Sequence, residues 1–210
     1  MELPFNKQNS GNEGGASISL DNLHLFFTVN NKGNFDIYTS DLTPKGWTEP
    51  RSIGSANDPK LWDSQPSLAP DNRTIYFASF RDSIHLTSDI YVTKRKNGTW
   101  NQVQPLPSII NTTKNEKAPF MHPDGKTLYF SSDGLPGMGG YDIFYSRIDE
   151  NGNWSKPVNL GYPINTDADV LTVQKYILQA TNIVQEVMIF TPLIYLMKQD
   201  LKKWFFLKVS

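Results

Sequence analysis

One pattern occurs three times along most of this chain. Each copy contains an Asp-bearing turn, an aromatic strand, a strand that begins Asp-Ile-aromatic, and a single Trp. The three sets are Asp21, Phe27, Asp36 and Trp47; Asp71, Phe77, Asp89 and Trp100; and Asp124, Phe130, Asp142 and Trp154. The phenylalanines lie 50 and then 53 residues apart (77 − 27 and 130 − 77). Repeats of about 40–50 residues are typical of β-propeller blades, so the pattern predicts an all-β fold.

The third copy shows how one repeat is expected to fold. Thr127–Ser132 is rich in strand-forming residues, and a glycine-rich linker at 133–140 separates it from a second strand at Tyr141–Ser146. Trp154 opens a further short segment. We assign the segment just before each Asp turn, of the type at 118–121, to the end of a blade. Four short strands joined by tight turns would make each blade.

The repeats divide the chain into five predicted parts. These are the tail of a preceding blade at 1–16, blades at 17–66, 67–119 and 120–169, and an aberrant tail at 170–210. The predicted fold is therefore a partial β-propeller of about three four-stranded antiparallel blades. The tail is expected to be irregular or helical and not native to the fold.

Composition limits the classes of partner. The chain has 20 Lys and Arg residues against 21 Asp and Glu residues, so its net charge of −1 does not predict a nucleic-acid partner. It has no Cys, which excludes a disulfide framework, a thiol nucleophile and a thiolate metal site. Residues 1–6 have neither a basic nor an apolar leader segment, so we predict no signal peptide in this chain.

An acidic residue stands eight positions before each Asp turn, at Glu13, Asp63 and Glu116. The fixed offset favours a structural role, in which these carboxylates and those of the Asp-Ile-aromatic strands accept backbone N–H bonds. The alternative is a glycoside hydrolase or sialidase-like propeller with two carboxylates across a cleft. Because a catalytic acid is rarely repeated identically around a ring, we predict structural carboxylates and no catalytic residue.

The repeated tryptophans at 47, 100 and 154 have two interpretations. They provide apolar packing between sheets, or they form a platform on which a sugar or peptide stacks. Packing is the favoured interpretation. A stacking platform would make the chain a carbohydrate- or cell-wall-binding propeller.

Loops that differ between the repeats are the expected sites of specificity, because rigid strands position such loops for recognition. The candidate binding residues are Arg81 and His85 in one loop, and Leu135 and Met138 in another. The His residues lack metal-ligand spacing and no cofactor motif is present, so we predict neither metal nor cofactor. The predicted function is non-catalytic protein binding or scaffolding.

The repeat stops after Asp169, although a fourth Asp turn is due near position 177. Residues 176–210 contain no Gly and a long apolar run, which polar residues and a Pro interrupt too often for a transmembrane helix. Codons for blade-strand peptides, read one base late, encode the stretches at 176–184 and 187–195. We therefore predict that residues from about 175 onward are a shifted-frame translation of a fourth blade.

Three longer segments match a known repeat family. They are Trp62–Ser67, His122–Gly134 and Gly139–Ser146. With these residues, the chain from about 3 to 169 resembles the WD40-like, TolB-type propeller repeats of Bacteroidetes OmpA-family outer-membrane proteins. The resemblance implies a fragment of a periplasmic or outer-membrane-associated protein whose partners are proteins, including envelope or secretion components. The family's peptidoglycan-binding domain has no counterpart in this sequence, so peptidoglycan anchoring is not implied.

Overall fold

The computed structural model describes residues 13–81 and 86–170. The segment at 1–12, the residue His85 and the tail from 171 onward lie outside the described residues, and so does the predicted frameshift. The side chain of Glu13 lies outside them as well, although its backbone begins the first strand.

The described residues form three successive β-sheets. The first contains β1 (Glu13–Ile18), β2 (His24–Asn31), β3 (Asn34–Thr43), β4 (Gly46–Trp47) and β5 (Arg51–Ser52). A short 3-10 helix, Gly54–Ala56, leads to the second, which contains β6 (Asp63–Leu68), β7 (Thr74–Ser79), β8 (Asp89–Lys96) and β9 (Thr99–Pro105). The third contains β10 (Glu116–Met121), β11 (Thr127–Ser132), β12 (Asp142–Arg147) and β13 (Val158–Asn159).

Every sheet is an antiparallel meander in which strands pair in chain order. The second and third sheets have the orders β6-β7-β8-β9 and β10-β11-β12-β13, and the first has the order β1-β2-β3-β4, with β5 also paired to β3. Alternating strand-forming residues and short Asp or Gly turns produce such meanders, because each turn returns the chain beside the strand it has just left. The prediction of an all-β partial propeller with antiparallel blades is confirmed; the second and third sheets have the predicted four strands, and the first has β5 in addition.

The sheets begin one strand earlier than the predicted blades. Boundaries at 66/67 and 119/120 fall within β6 and β10, because the segment assigned to the end of one blade is the first strand of the next sheet. Glu116 pairs with Ser132 and Met121 with Leu128 in the β10–β11 register. The Asp turn closes this hairpin, and a short hairpin makes its two strands neighbours in one sheet.

A bulge in each first strand connects neighbouring sheets. Gly15, Gln65 and Ala118 have φ values of +52°, +55° and +48°, at the point where the register with the second strand shifts. The bulge frees backbone donors: Gln65 N donates to the hydroxyl of Thr28 (3.0 Å), and Ala118 N donates to Oε1 of Gln65 (2.8 Å). Gly15 is required at its position, because a Cβ there would lie 2.9 Å from the Cα of Gln65.

Apolar cores lie between the sheets. Phe26 and Ile37 of the first sheet pack with Phe77 and Trp100 of the second in one buried cluster. A second cluster joins the second and third sheets and includes Tyr76, Ile90, Leu128, Phe130 and Phe144. Complete burial of such a side chain contributes about 2–3 kcal/mol, so these clusters are the main stabilisation between neighbouring sheets.

The fourth position of the acidic series holds an apolar residue. Val170 N donates to Tyr141 O (2.8 Å), as Glu116 N donates to Ser88 O (2.7 Å) one repeat earlier. The matching hydrogen bond puts Val170, which is 2% exposed, in the place where an acid begins the second and third sheets. In sequence, the repeat pattern ends at Asp169. The hydrogen bonds show that the first residue to depart from the repeat is the next one, Val170.

Candidate functional site

The first and third strands of every sheet begin at one end of the sheets, because neighbouring strands are antiparallel. Contacts between sheets keep these ends adjacent: Asn34 Nδ2 donates to Asp58 O (3.4 Å), and Glu116 N donates to Ser88 O. We call this the carboxylate end; its described residues are 32–36, 53–63, 80–81, 86–89, 106–117, 133–142 and 160–169. The opposite, turn end comprises 19–24, 41–51, 69–74, 94–99, 122–127 and 147–157.

Asp63 begins β6 and is fully buried. Its Oδ2 accepts hydrogen bonds from Asp58 N (2.6 Å) and from Nη2 of Arg81 (2.8 Å). Burial raises the pKa of Asp63, and the bonds from Arg81 and the Asp58 backbone limit that rise. The carboxylate therefore holds the connection between the first and second sheets in place.

Arg81 is part of this buried pair and does not project freely from a loop. Its side chain is 17% exposed, and its Nη2 also donates to Ala56 O (2.5 Å). The guanidinium lies over the rings of Phe77 and Tyr91, at 5.6 and 5.9 Å from their centroids. These contacts fix Arg81 as a structural partner of Asp63.

Glu116 occupies the equivalent position in the third sheet and is also fully buried. Its Oε2 accepts from Thr112 N (2.8 Å), and its Oε1 accepts from the hydroxyls of Thr112 (2.9 Å) and Ser132 (2.6 Å). Burial raises the pKa of Glu116 to about 7; the hydroxyl and backbone bonds oppose the rise, and Asp89 adds to it. The carboxylate thus joins the loop before β10 to the end of β11.

Asp142 begins β12 and organises the glycine-rich linker. Its Oδ2 accepts hydrogen bonds from Met138 N and, at 3.4 Å, from Gly139 N. Gly137 is required beside it, because a Cβ there would lie 1.8 Å from Oδ2 of Asp142.

Asp36 is half-buried, and burial followed by the charges of Asp63 and Asp58 raises its pKa. Asp89 begins β8 and is 7% exposed.

The Asp residues at the turn end stabilise the turns in which they lie. Asp124 accepts from Lys126 N (2.8 Å), Thr127 N (2.8 Å) and the Thr127 hydroxyl (2.7 Å), and Asp71 makes the same three bonds. Burial acts to raise the pKa of Asp124, but these hydrogen bonds outweigh it and bring the pKa to about 2. Asp21 accepts one backbone bond of the same kind. Each carboxylate therefore closes its own turn.

The repeated tryptophans pack against apolar clusters. Trp100 is 5% exposed and meets Phe26 edge-on at 5.6 Å, and Trp154 meets Tyr76 in the same way at 6.1 Å. Trp47 packs against the apolar cluster of β2. The first two contacts join adjacent sheets, as expected of side chains that stabilise the packing between blades.

The candidate loop residues have different environments. Leu135 is partly buried against the cluster between the second and third sheets, whereas Met138 is 54% exposed. His85 lies outside the described part of the chain. Of the described candidates, only Met138 is presented to solvent and available for contact with a partner.

A set of repeated Asn side chains was missed by the sequence analysis. In each sheet, one Asn carboxamide accepts a hydrogen bond from the backbone N–H of the Asp-Ile-aromatic Ile and donates to its carbonyl, at 2.8–3.0 Å. The pairs are Asn57 with Ile37, Asn111 with Ile90 and Asn165 with Ile143. The signal was present, because the three Asn recur at intervals of 54 residues (111 − 57 and 165 − 111). The regular interval was overlooked because the three Asn lie in loops whose sequences otherwise differ.

Exposed large apolar side chains are concentrated at the carboxylate end. The structure exposes Leu61 (38%), Leu86 (77%), Ile109 (40%), Met138 (54%) and Tyr162 (79%) there. At the turn end it exposes Leu20 and Leu23. The carboxylate end therefore combines buried carboxylates, which fix the loops, with apolar side chains that those loops present to solvent.

Within 13–81 and 86–170, no group of three or more His, Cys, Asp or Glu side chains could hold a metal ion. Among the same residues, no helix is both long and apolar enough to cross a membrane.

Comparison with known proteins identifies the fold. No family model matches this chain, and no curated protein is significantly similar to it in sequence. Among solved structures, it is similar to TolB from Acinetobacter baumannii, with a TM-score of 0.51 and 19% identity over 73% of this chain and 34% of that one. A putative TolB from Agrobacterium tumefaciens gives a TM-score of 0.50 and 19% identity, over 78% of this chain and 55% of that one.

The fold is that of a TolB-like β-propeller. At this level of identity the likeness concerns the fold alone. The chain spans about a third to just over half of the length of the two TolB structures.

Proposed function

We propose that this chain is a non-catalytic binding segment of a β-propeller protein and holds a protein partner at its carboxylate end. The observation that carries the proposal is the exposure of apolar side chains on several loops of that end, with Leu86, Met138 and Tyr162 each more than half exposed. Apolar side chains on loops that a rigid scaffold positions are typical of protein-binding surfaces.

The contacts of the carboxylates support a binding function over hydrolysis. Asp63 is paired with Arg81, and Glu116 accepts three hydrogen bonds from its own sheet and the loop before it. A glycosidase needs one carboxyl as a proton donor to the leaving group and a second as nucleophile or base, both facing the same bond. Both of these carboxylates are fully buried and hold loops together.

Site-specific photocrosslinking tests the location of the partner. A photoreactive amino acid is placed at Met138 in the full chain, and a matched control carries it at Leu20, which is also 54% exposed but lies at the turn end. We expect a discrete crosslinked protein from Met138 only, followed by saturable binding of that protein once it is identified. Equal crosslinking from both positions, or saturable binding that Met138→Asp leaves unchanged, contradicts the proposal.

A hydrolysis screen tests the enzymatic alternative. The full chain is incubated with a panel of glycans, and released reducing ends are measured for the wild type, Glu116→Gln and Asp63→Asn. We expect no turnover above the rate of a buffer control. Turnover that a single one of these substitutions abolishes would refute the scaffold function.

We also propose that the chain derives from a cell-envelope protein of the OmpA-family type, with its tail translated in a shifted frame. The repeat segments of the sequence support the first point, and the apolar Val170 at an acidic repeat position is consistent with an interruption at the start of the tail. Sequencing of the gene tests the second point, because the shifted frame of codons 176–195 must spell two blade strands.

A further inference from the structure

The two ends of the sheets carry opposite charge. The described residues of the carboxylate end contain nine Asp and Glu against five Lys and Arg, a formal charge of −4 when Glu116 is counted as ionised. Four of the nine carboxylates, Asp63, Asp89, Glu116 and Asp142, are buried, and Asp63 is paired with Arg81. Those of the turn end contain seven Asp and Glu against nine Lys and Arg, a formal charge of +2. The net charge of the chain is close to zero, but its charges are distributed unevenly between the two ends of the strands.

Nearby carboxylates add to the effect of burial on the pKa of two groups at the carboxylate end. Burial, and then the charges of Asp63 and Asp58, raise the pKa of Asp36. Burial and then the charge of Asp133 raise the pKa of Tyr141 to about 12. In each case burial is the larger cause of the raised pKa, and the neighbouring negative charge adds to it.

We propose that the partner at the carboxylate end is a basic polypeptide segment that carries apolar side chains among its Lys or Arg residues. This inference rests on the proposed function and names the chemistry of its partner. Leu86, Met138 and Tyr162 offer apolar contact, and the excess of carboxylates at the same end of the sheets attracts cationic side chains. Complementary charge speeds encounter and selects the partner, while the apolar contacts supply most of the affinity.

A pair of synthetic peptides provides the test. The probe is a fluorescent 12-residue peptide of alternating Leu and Lys, and its control replaces every Lys with Glu; binding to the full chain is measured by fluorescence anisotropy. We expect saturable binding of the Lys peptide, weakened by added salt, and no saturable binding of the Glu peptide.

Matched variants locate the bound probe. Asp167→Lys reverses an exposed charge at the carboxylate end, and Glu150→Lys reverses one at the turn end. We expect Asp167→Lys to weaken binding about two- to fivefold, the range of an exposed ion pair, and Glu150→Lys to leave it within error. Met138→Ser should likewise weaken binding, and its exposure-matched control Leu20→Ser should not.

Three results overturn the inference: no saturable binding of the Lys peptide, equal binding of the Glu peptide, or greater sensitivity to the turn-end variants. Such a result leaves the proposed function intact if photocrosslinking from Met138 still captures an acidic or uncharged partner. Failure of the crosslinking itself removes the proposed function instead, so the two outcomes are distinguishable.

Discussion

Asp63 and Glu116 occupy the same repeat position, yet their buried carboxylates are stabilised in different ways. Asp63 is paired with a cation, Arg81, whose guanidinium also lies over two aromatic rings. Among the described residues, the donors to the Glu116 carboxyl are Thr112 and Ser132 and include no cation. The comparison shows that a buried carboxylate at this position is stabilised by a cation in one sheet and by hydroxyl and backbone donors in the next.

The residue four positions after the repeated Phe decides between the two arrangements. In the second sheet this residue is Arg81, and in the third it is Gly134. A Cβ on Gly134 would lie 1.9 Å from the hydroxyl oxygen of Thr112. The absence of a side chain thus allows Thr112 to approach and to bond to Glu116.

The largest expected effect is loss of the cation in the second sheet. Arg81→Met keeps the length of the side chain but leaves Asp63 buried without its charge partner. We expect the free energy of unfolding to fall by about 3–5 kcal/mol at pH 7, measured by urea denaturation. The control Arg73→Met removes an exposed cation and should change stability by less than about 0.5 kcal/mol.

A double variant sharpens this prediction. Combining Arg81→Met with Asp63→Leu removes both charges, and much of the lost stability should return, because the cost arises from the uncompensated buried carboxylate. If the double variant is as unstable as Arg81→Met alone, the ion pair is not the reason for the loss.

The next effect concerns the pH dependence of stability in the third sheet. The pKa of Glu116 is raised to about 7 from an ordinary value of 4.5, so the folded state keeps a proton that the unfolded state releases between these values. The contribution of Glu116 is therefore fully present below pH 4.5 and is lost as pH rises to about 7. The loss amounts to about 3 kcal/mol.

Glu116→Gln isolates this contribution. The amide does not titrate, so the difference in unfolding free energy between the wild type and the variant should fall from pH 4.5 to pH 7.5 and then level off. A difference that stays flat across this range shows that Glu116 titrates near its ordinary pKa.

A smaller effect is expected when a methyl group is added at Gly134. Gly134→Ala places its Cβ against Thr112 and should cost about 1–3 kcal/mol, because a close-packed site must shift to accept it. Combining it with Thr112→Ala removes the clashing hydroxyl and should recover part of the loss. Urea denaturation of the two variants provides the comparison, and equal stabilities contradict the steric explanation.

The smallest effect tests the hydroxyl alone. Thr112→Val removes the bond from the side chain to Glu116 but keeps the bond from the backbone, and we expect a loss of about 1 kcal/mol at pH 7.5. The exposed neighbour Thr113 is the control, and Thr113→Val should have no measurable effect. A larger loss from the control would show that the substitution acts on the loop backbone.

Much of the fold followed from the sequence because strand and turn signals are local. The strand predicted at 127–132 occurs there, the strand predicted at 141–146 occurs at 142–147, and the turns containing Asp71 and Asp124 were placed correctly. The first strands were assigned to the wrong neighbour, because a strand preceding a tight turn carries no local mark of the sheet to which it belongs. Hydrogen-bond register between strands settled the assignment.

The candidate site was less predictable. The sequence grouped Arg81 with the binding loops, because the segment after Phe80 differs between the repeats. The structure buries it against Asp63, which is 18 residues away in sequence. The Asn side chains that bind the Ile backbones were missed for a related reason, since their partners lie 20–22 residues earlier.

The sequence by itself determined the repeat, the all-β class and the positions of the carboxylates, because these depend on patterns within a few residues. Only the tertiary structure decided how each carboxylate is satisfied, which tryptophans join which sheets, and which end of the sheets gathers the exposed apolar side chains and the excess of negative charge. These properties arise when residues distant in sequence are brought together, and burial then sets the energies of their contacts.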